Sequence, residues 1–210
     1  MDLDIDLKSV DRVLMTARSV RRRLDFDREV PLNVIEDCID IATQAPVALA
    51  GENWRFIVVT DPAVKTKLAK LYREVLVDLT SARGIEIKSS HQALIERLHK
   101  IPCMIFVCAI GNPGESTAQQ IAFYGSILPA AWSFMLALRA RNIGTTWTTL
   151  LSTEQDRVGR ILGLPEDVLQ VVMFPAAYTK DAVMKVANRI PAKELTYSNH
   201  WGIRKQDTEQ

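Results

Sequence analysis

The feature that most constrains the fold is a run of 18 residues without a charge, IAFYGSILPAAWSFMLAL, at positions 121–138. A helix of this composition must be covered by lipid or by the rest of the protein, because its surface is apolar on every side. The run is barely long enough for a bilayer, which takes about 20 residues, and it contains two serines and a proline. We therefore interpret it as a buried helix of a protein core, with a membrane span as the alternative.

The composition predicts one globular domain over residues 1–210. Hydrophobic residues make up 48% and charged residues 24% of the chain, an ordinary balance for a domain with a core. The three cysteines lie in apolar stretches and their number is odd, so we expect buried, reduced thiols in a cytoplasmic protein. The acidic start is too polar for a secretion signal. The three histidines lack zinc-like spacing, so no metal site is predicted.

The other apolar patterns predict helices and strands around this central helix. Helices are expected over 4–18, over 31–46 and from Asp61 and Pro62 onward, and strands over 56–60, 101–110, 145–151 and 168–178. A capping box of Ser152 and Gln155 predicts a short helix that ends at Gly163. Mixed elements of this kind favour an α+β or α/β sandwich of helices around a sheet.

Two stretches have little apolar pattern of their own. The polar residues at about 80–100 predict a loop and a helix that could form a lid over a site. Residues 180–210 would form a C-terminal arm that needs another surface to lie on. In a small domain that surface is often a second subunit.

The segment ARSVRRRLDF places four arginines within residues 18–23 of a chain whose net charge is only +1. Nucleic acid, an anionic membrane, a bound phosphate and a solvated turn are the alternatives for this cluster. The near-neutral chain shows no nucleic-acid-binding signature, and neither a Walker motif nor G-x-G-x-x-G is present. Arg18, Ser19 and Arg21, with Arg189 near the C-terminus, are donors suited to a phosphate, and a solvated basic turn remains open.

Taken in order, these segments resemble the nitroreductase family of flavoenzymes. Family members open with a helix and an R-S-x-R segment, which Arg18 to Arg21 reproduce. A turn and strand of the kind A-P-S-x-x-N-x-Q-P-W-x-F-x-V follow, here APVALAGENWRFIVV at 45–59. Later come G-x-x-W/T-x-T at 144–149, L-G-L-P at 162–165 and R-x-P at 189–191. The similarity depends on this order, over about residues 10–200, rather than on any single motif.

The resemblance implies both a fold and an activity. The fold is an α+β three-layer sandwich with a central, mainly antiparallel sheet flanked by helices and an arm that reaches the partner subunit. The protein would be a homodimer with FMN at the interface, an oxidoreductase that transfers hydride from NAD(P)H to a nitroaromatic, a quinone or an activated alkene by a ping-pong mechanism. No side chain acts as a nucleophile, and neither nucleic acid nor a membrane is an expected partner.

The resemblance also assigns FMN contacts to four segments. They are Arg18, Ser19, Val20 and Arg21 near the phosphate, ribityl chain or pyrimidine edge; Pro46, Val47, Ala48 and Leu49 from the other subunit, with Gly51; Thr148, Thr149 and Leu150 against the ring; and Arg189 on the phosphate. The tryptophans in apolar segments are expected to pack in the core, and Trp147 is the one expected to approach the flavin.

The chain departs from the family pattern in the turn after residue 45. Val47, Ala50 and Glu52 stand where the family usually has a serine, an asparagine and a glutamine. A less polar turn with an added carboxylate would alter the surroundings of a flavin. Two alternatives therefore stay open: a non-catalytic flavin-binding or regulatory protein, and a specialised chemistry such as reductive dehalogenation.

Overall fold

The computed structural model describes residues 5–48 and 51–204. Helices form where apolar residues recur at three- and four-residue spacing, and strands where β-branched and apolar residues run continuously. The helices are α1 (Leu7–Thr16), α2 (Leu32–Ala42), α3 (Pro62–Ala82), α4 (Ser89–Ile95), α5 (Thr117–Ala140), α6 (Gln155–Leu162) and α7 (Ala192–Leu195). The strands are β1 (Trp54–Val59), β2 (Cys103–Ile110), β3 (Ile143–Thr145) and β4 (Val168–Tyr178).

The strands form one sheet in the order β1-β2-β4-β3, and every neighbouring pair is antiparallel. Strand β2 lies in the middle, where Ile105 pairs with Val58 of β1 and with Phe174 of β4. Because both faces of β2 are covered, its run is apolar throughout instead of alternating with polar residues. The strand predicted over 101–110 is confirmed.

Side chains of β2 point alternately into two buried clusters, one on each face of the sheet. Cys103, Ile105 and Val107 pack with residues of α2 and α5, whereas Met104 and Phe106 pack with residues of α3. The sheet therefore lies between two layers of helices. This arrangement confirms the predicted α+β three-layer sandwich with a mainly antiparallel sheet.

Helix α5 contains the uncharged run and packs against the sheet. It begins with a capping box of Ser116 and Gln119, and Phe134 in its second half is fully buried. The interpretation as a core helix is confirmed for this buried face. Among the described residues it is also the one helix long and apolar enough to cross a bilayer, and 44% of its most apolar window is buried inside the fold. Ile121 and Trp132 remain exposed in the single chain.

The strand predicted over 145–151 is wrong. Strand β3 ends at Thr145, and Thr148 touches the sheet only through an isolated bridge to Met173. Threonine hydroxyls explain the early end, because Thr146 Oγ1 donates to Val20 O (3.1 Å) and so holds the chain to a neighbouring segment. Residues Leu150–Glu154 then form a 3-10 turn.

The capping box predicted from Ser152 and Gln155 is also wrong. Ser152 lies within the 3-10 turn, where its hydroxyl donates to Thr149 O (2.7 Å). The side chain of Gln155 instead holds the edge of β4: its Nε2 donates to Gln170 O (2.8 Å) and its Oε1 accepts from Gln170 N (3.0 Å). Helix α6 therefore starts at Gln155 without a side-chain cap, and it ends at Gly163 as predicted.

The two stretches without apolar pattern differ in their structures. In the expected lid, α4 and a 3-10 turn at Leu98–Lys100 confirm the predicted loop and helix. The arm after β4 forms only the four-residue helix α7 up to residue 204, and several of its large apolar side chains, such as Trp201 at 89%, are exposed. That the arm reaches a partner subunit stays a prediction.

Candidate functional site

The arginine segment follows α1 and lies beside β3, the strand at one edge of the sheet. Val20 N donates to Thr145 O (2.8 Å), and Ser19 forms a parallel bridge with Thr145. Val20 and Leu24 point inward and are buried. Arg18 and Ser19 are exposed, and Arg21 is half-buried.

Gly144 allows the segment to approach the sheet this closely. A Cβ atom at Gly144 would lie 2.7 Å from Thr179 Cγ2, 3.0 Å from Leu24 Cδ2 and 3.1 Å from Val20 Cβ. Any side chain at this position would displace the inward residues of the arginine segment. The glycine thus sets where the arginines lie.

A cavity of about 870 Å³, called the aromatic cleft below, brings the arginines to an apolar wall. It is lined by Ala17, Arg18, Ser19, Arg21 and Arg189 and by the apolar residues Leu128, Pro129, Trp132, Met135 and Trp147. Its volume is that of a small-molecule or cofactor site. The structure thus brings together the two distant basic segments that the sequence singled out, and Trp147 lies with them.

Among the residues that the structure describes, no carboxylate forms an ion pair with the cations of the aromatic cleft. Burial lowers the pKa of the Arg21 guanidinium, and Arg21 Nε is buried without a hydrogen-bond partner among the described residues. Arg18 donates to Lys185 O (3.2 Å), which is a neutral acceptor. The ion pairs among the described residues involve only Arg157 and Lys180 as cations. A cleft of this kind favours an anionic ligand.

Thr148, Thr149 and Leu150 are next to the aromatic cleft but do not line it. Thr148 is buried, and its Oγ1 is 3.2 Å from the hydroxyl of Tyr72 and accepts from Leu150 N (3.3 Å). Burial raises the pKa of Tyr72, so its hydroxyl stays protonated. Trp147 is the residue of this segment that reaches the cleft. Contact of the other three with a ring stays a prediction.

Pro46, Val47, Ala48 and Gly51 also do not line the aromatic cleft of their own chain. Pro46 and Val47 are exposed, and Ala48 N donates to Ser126 Oγ of α5 (2.8 Å). Gly51 has a φ of +80°, which favours glycine, and Leu49 lies outside the described residues. These positions agree with a contribution to another copy's site, which stays a prediction.

Helix α5 supplies the wall that sequence reasoning missed. Leu128, Pro129, Trp132 and Met135 belong to the uncharged run, which predicted core packing only. In the structure Trp132 is 41% exposed, and it faces the cleft with Pro129. A helix that is apolar all round has no polar face, so its sequence does not reveal which side remains open.

Comparisons with known proteins agree with this fold. The model of the family described as "Nitroreductase family" matches residues 14–178. Iodotyrosine deiodinase of Drosophila melanogaster is 27% identical in an alignment of length 180 that covers 80% of this chain and 62% of that protein. The chain therefore spans less than two thirds of the length of this relative.

Solved structures share the fold. Iodotyrosine deiodinase bound to FMN and 3-iodo-L-tyrosine superimposes with a TM-score of 0.67 at 17% identity, over 87% of this chain and 96% of the other. The NADPH:FMN oxidoreductase of Vibrio harveyi, complexed with NAD+, superimposes with a TM-score of 0.71 at 15% identity. The superposition covers 96% of this chain and 82% of the other. At these identities the likeness concerns the fold.

Proposed function

This chain belongs to the nitroreductase family, and from that premise we propose that it is an FMN-dependent oxidoreductase that transfers hydride from NAD(P)H to a small oxidised acceptor. The aromatic cleft is the observation that carries the proposal. It combines a cationic end with a flat apolar wall, as a molecule with a phosphate and a fused ring system requires.

The cationic end fits the phosphate of FMN. Arg18, Ser19 and Arg189 offer two guanidinium groups and a hydroxyl, and a dianion needs more than one such partner to offset its desolvation. Arg21 is more deeply placed, and its unpartnered Nε is a donor for a polar edge of the ring. Val20 offers FMN no free side chain or N–H donor, because its side chain is buried and its N–H already donates to Thr145 O. Its role is to hold the neighbouring Ser19 and Arg21 in place.

The apolar wall fits the isoalloxazine ring. Trp147 and Met135 pack against the core. The ring of Trp147 meets that of Phe174 edge-on, with 5.6 Å between the ring centroids. This support fixes the indole and keeps water from one face of a ring laid against it. FMN, when bound, supplies the acceptance and donation of hydride, so the chain itself needs no nucleophile.

We propose a homodimer as the working form of the protein. Large apolar side chains lie exposed on α1 and α5 of the single chain, among them Leu7 and Ile121, both at 68%. An exposed apolar surface of this kind on a soluble protein marks an interaction site. A second copy covering it would bring residues 46–49 and Gly51 towards the aromatic cleft, as the resemblance implies.

An absorption spectrum before and after anaerobic addition of NADH or NADPH tests the proposal. We expect a flavin spectrum in the purified protein, or after FMN is added, and bleaching by at least one of the two nucleotides. A protein that gains no flavin spectrum with added FMN contradicts the cofactor. Bound FMN that neither nucleotide reduces would favour the non-catalytic alternative.

Reductive dehalogenation is a second candidate, favoured by the deiodinase relatives and by the lid beside the site. Arg22 donates to Ser89 Oγ of α4 (2.7 Å), so the lid is held to the arginine segment. In this reaction an aryl C–I bond is replaced by C–H, iodide leaves, and NAD(P)H supplies the hydride equivalent. Iodide release from 3-iodotyrosine, measured with nitroaromatic reduction on the same preparation, decides between the candidates.

A further inference from the structure

A second cavity lies beside the aromatic cleft, and the function proposed so far assigns no ligand to it. It has a volume of about 710 Å³, and we call it the arginine cavity. Its cations are Arg18, Arg21, Arg22, Arg23 and Lys185. It shares Arg18, Ser19 and Arg21 with the aromatic cleft, so one elongated ligand can extend from one cavity into the other.

The arginine cavity carries a large positive charge in the single chain. Asp181 is its one carboxylate within residues 5–48 and 51–204, and no ion pair there involves any of its five cations. Arg22 instead donates to Ser89 Oγ, which leaves its charge uncompensated. Burial lowers the pKa of the nearby His91, and the positive charges of Arg21 and Lys88 lower it further.

The backbone around the arginine cavity adopts an unfavourable conformation. Arg23 has a φ of +57° and Asp181 a φ of +48°, in the left-handed region that non-glycine residues rarely occupy. A hydrogen bond from Lys180 N to Arg23 O (2.8 Å) holds the two turns together. Strained conformations kept by the surrounding structure occur often at functional sites.

We infer that the arginine cavity binds the 2′-phosphate of NADPH, so that this protein uses NADPH in preference to NADH. The inference rests on the proposed function, which places the nicotinamide end of the nucleotide at the ring in the aromatic cleft. The adenosine end then reaches the adjoining cavity, whose arginines suit a phosphate monoester. Arginine is also the residue that accommodates a 2′-phosphate in other NADP sites.

A double variant, Arg22→Ala with Arg23→Asn, tests the inference in the FMN-loaded protein. Both side chains are exposed, and asparagine tolerates the positive φ at position 23. We expect kcat/KM for NADPH to fall about tenfold or more, as loss of charge-assisted bonds to a phosphate requires, and the NADPH preference to disappear. Equal use of NADPH and NADH by the wild-type protein overturns the inference.

Two controls separate charge from position. Arg160→Ala removes an exposed arginine of α6 that lines neither cavity, and it should keep the NADPH preference. Ser89→Ala removes the partner of Arg22 but no charge, and it should keep the preference as well. Loss of the preference in Ser89→Ala would assign the effect to the lid and overturn the inference.

Direct binding makes the test independent of turnover. By calorimetry, adenosine 2′,5′-bisphosphate should bind the FMN-loaded wild-type protein more tightly than adenosine 5′-monophosphate, and the double variant should lose this difference. If neither nucleotide reduces bound FMN, the proposed function fails, and this measurement alone decides the inference. Equal binding of the two ligands would overturn it.

Other occupants of the arginine cavity give different results. If the cavity holds the FMN phosphate, the double variant loses FMN affinity and keeps its NADPH preference. If it holds an anionic acceptor, KM for a carboxylate-bearing nitroaromatic rises while the NADPH preference stays. Either result overturns the inference.

Discussion

Arg189 is an exposed side chain that lines the aromatic cleft together with Arg18 and Ser19, although 170 residues separate Arg189 from Ser19 in the sequence. Its guanidinium forms no ion pair among the residues that the structure describes. Such a residue adds little to the stability of the fold and has its charge available for a ligand. Both properties can be measured separately.

Arg189→Ala should weaken FMN binding about tenfold or more, because a charge-assisted hydrogen bond to a phosphate is lost. The melting temperature without FMN should hardly change, since an exposed side chain is removed. Quenching of flavin fluorescence gives the dissociation constant. Lys193→Ala, an exposed cation on α7 outside the cleft, is the control. An unchanged FMN affinity in Arg189→Ala would exclude Arg189 from the phosphate site.

Gly144→Ala tests how the arginine segment is positioned. The new Cβ would clash with Thr179 and Leu24, so we expect the free energy of unfolding to fall by about 1–3 kcal/mol and FMN affinity to weaken. Urea unfolding measures the first effect and flavin fluorescence the second. Gly159→Ala in α6 is the matched control: its Cβ position meets only Leu164 Cβ, at 4.0 Å, so stability should stay or rise. Equal effects of both variants would contradict this role of Gly144.

At the scale of elements, the runs at 101–110 and 168–178 could be predicted because continuous apolar stretches fit a doubly covered strand. The stretch 145–151 could not, because threonine favours strands in general yet here bonds to the backbone of the arginine segment. That bond joins residues 126 positions apart, so no local pattern contains it. The wall of α5 was missed for a related reason, since the open side of an apolar helix depends on its neighbours.

The cationic half of the candidate site could be predicted from the sequence. The sequence contains two arginine segments that belong to no metal or nucleotide motif. Their order among the other motifs was sufficient to predict one ligand for Arg18, Ser19, Arg21 and Arg189. The structure places all four at one cleft. The second cavity was not predicted, because Arg22 and Arg23 meet the segment at 181–185 only in the folded chain.

Strand β2 gives a prediction about pH, because burial raises the pKa of Cys103 and of Cys108 to about 12. The thiols of an unfolded chain lose their protons from about pH 8.5, whereas the folded protein keeps them protonated. The unfolded state is therefore favoured as pH rises from about 9 towards 12, by about 1.4 kcal/mol per pH unit for each thiol. Below this window the two thiols add no pH dependence.

Urea unfolding between pH 8 and pH 11 measures this effect. At pH 8 the double variant Cys103→Ala/Cys108→Ala should have a lower free energy of unfolding than the wild-type protein, because the substitutions leave small cavities. As the pH rises, its free energy of unfolding should then fall less steeply than that of the wild-type protein. Native thiols should not react with a thiol reagent at pH 8, since both are fully buried. Parallel pH curves for the two proteins would contradict the raised pKa values.

At the scale of the whole molecule, the proposed homodimer would account for two observations. Residues 46–48 do not line the aromatic cleft of their own chain, and α1, α5 and the arm expose large apolar side chains. A second copy related by symmetry would cover these side chains and bring its own residues 46–48 to each cleft. Cytoplasmic location and the lack of nucleic-acid or membrane partners stay predictions of the same kind.

Ile121→Glu tests this explanation, since Ile121 is 68% exposed on α5 and its replacement should cost a monomer almost nothing. In a dimer the buried carboxylate would lack a partner, so we expect light scattering to show a shift towards the monomer mass and FMN affinity to fall. Val77→Glu on α3, at 41% exposed, is the control and should leave both unchanged. A wild-type protein that binds FMN as a monomer would contradict the shared site. A monomeric variant that keeps full FMN affinity would show instead that one chain holds the cofactor alone.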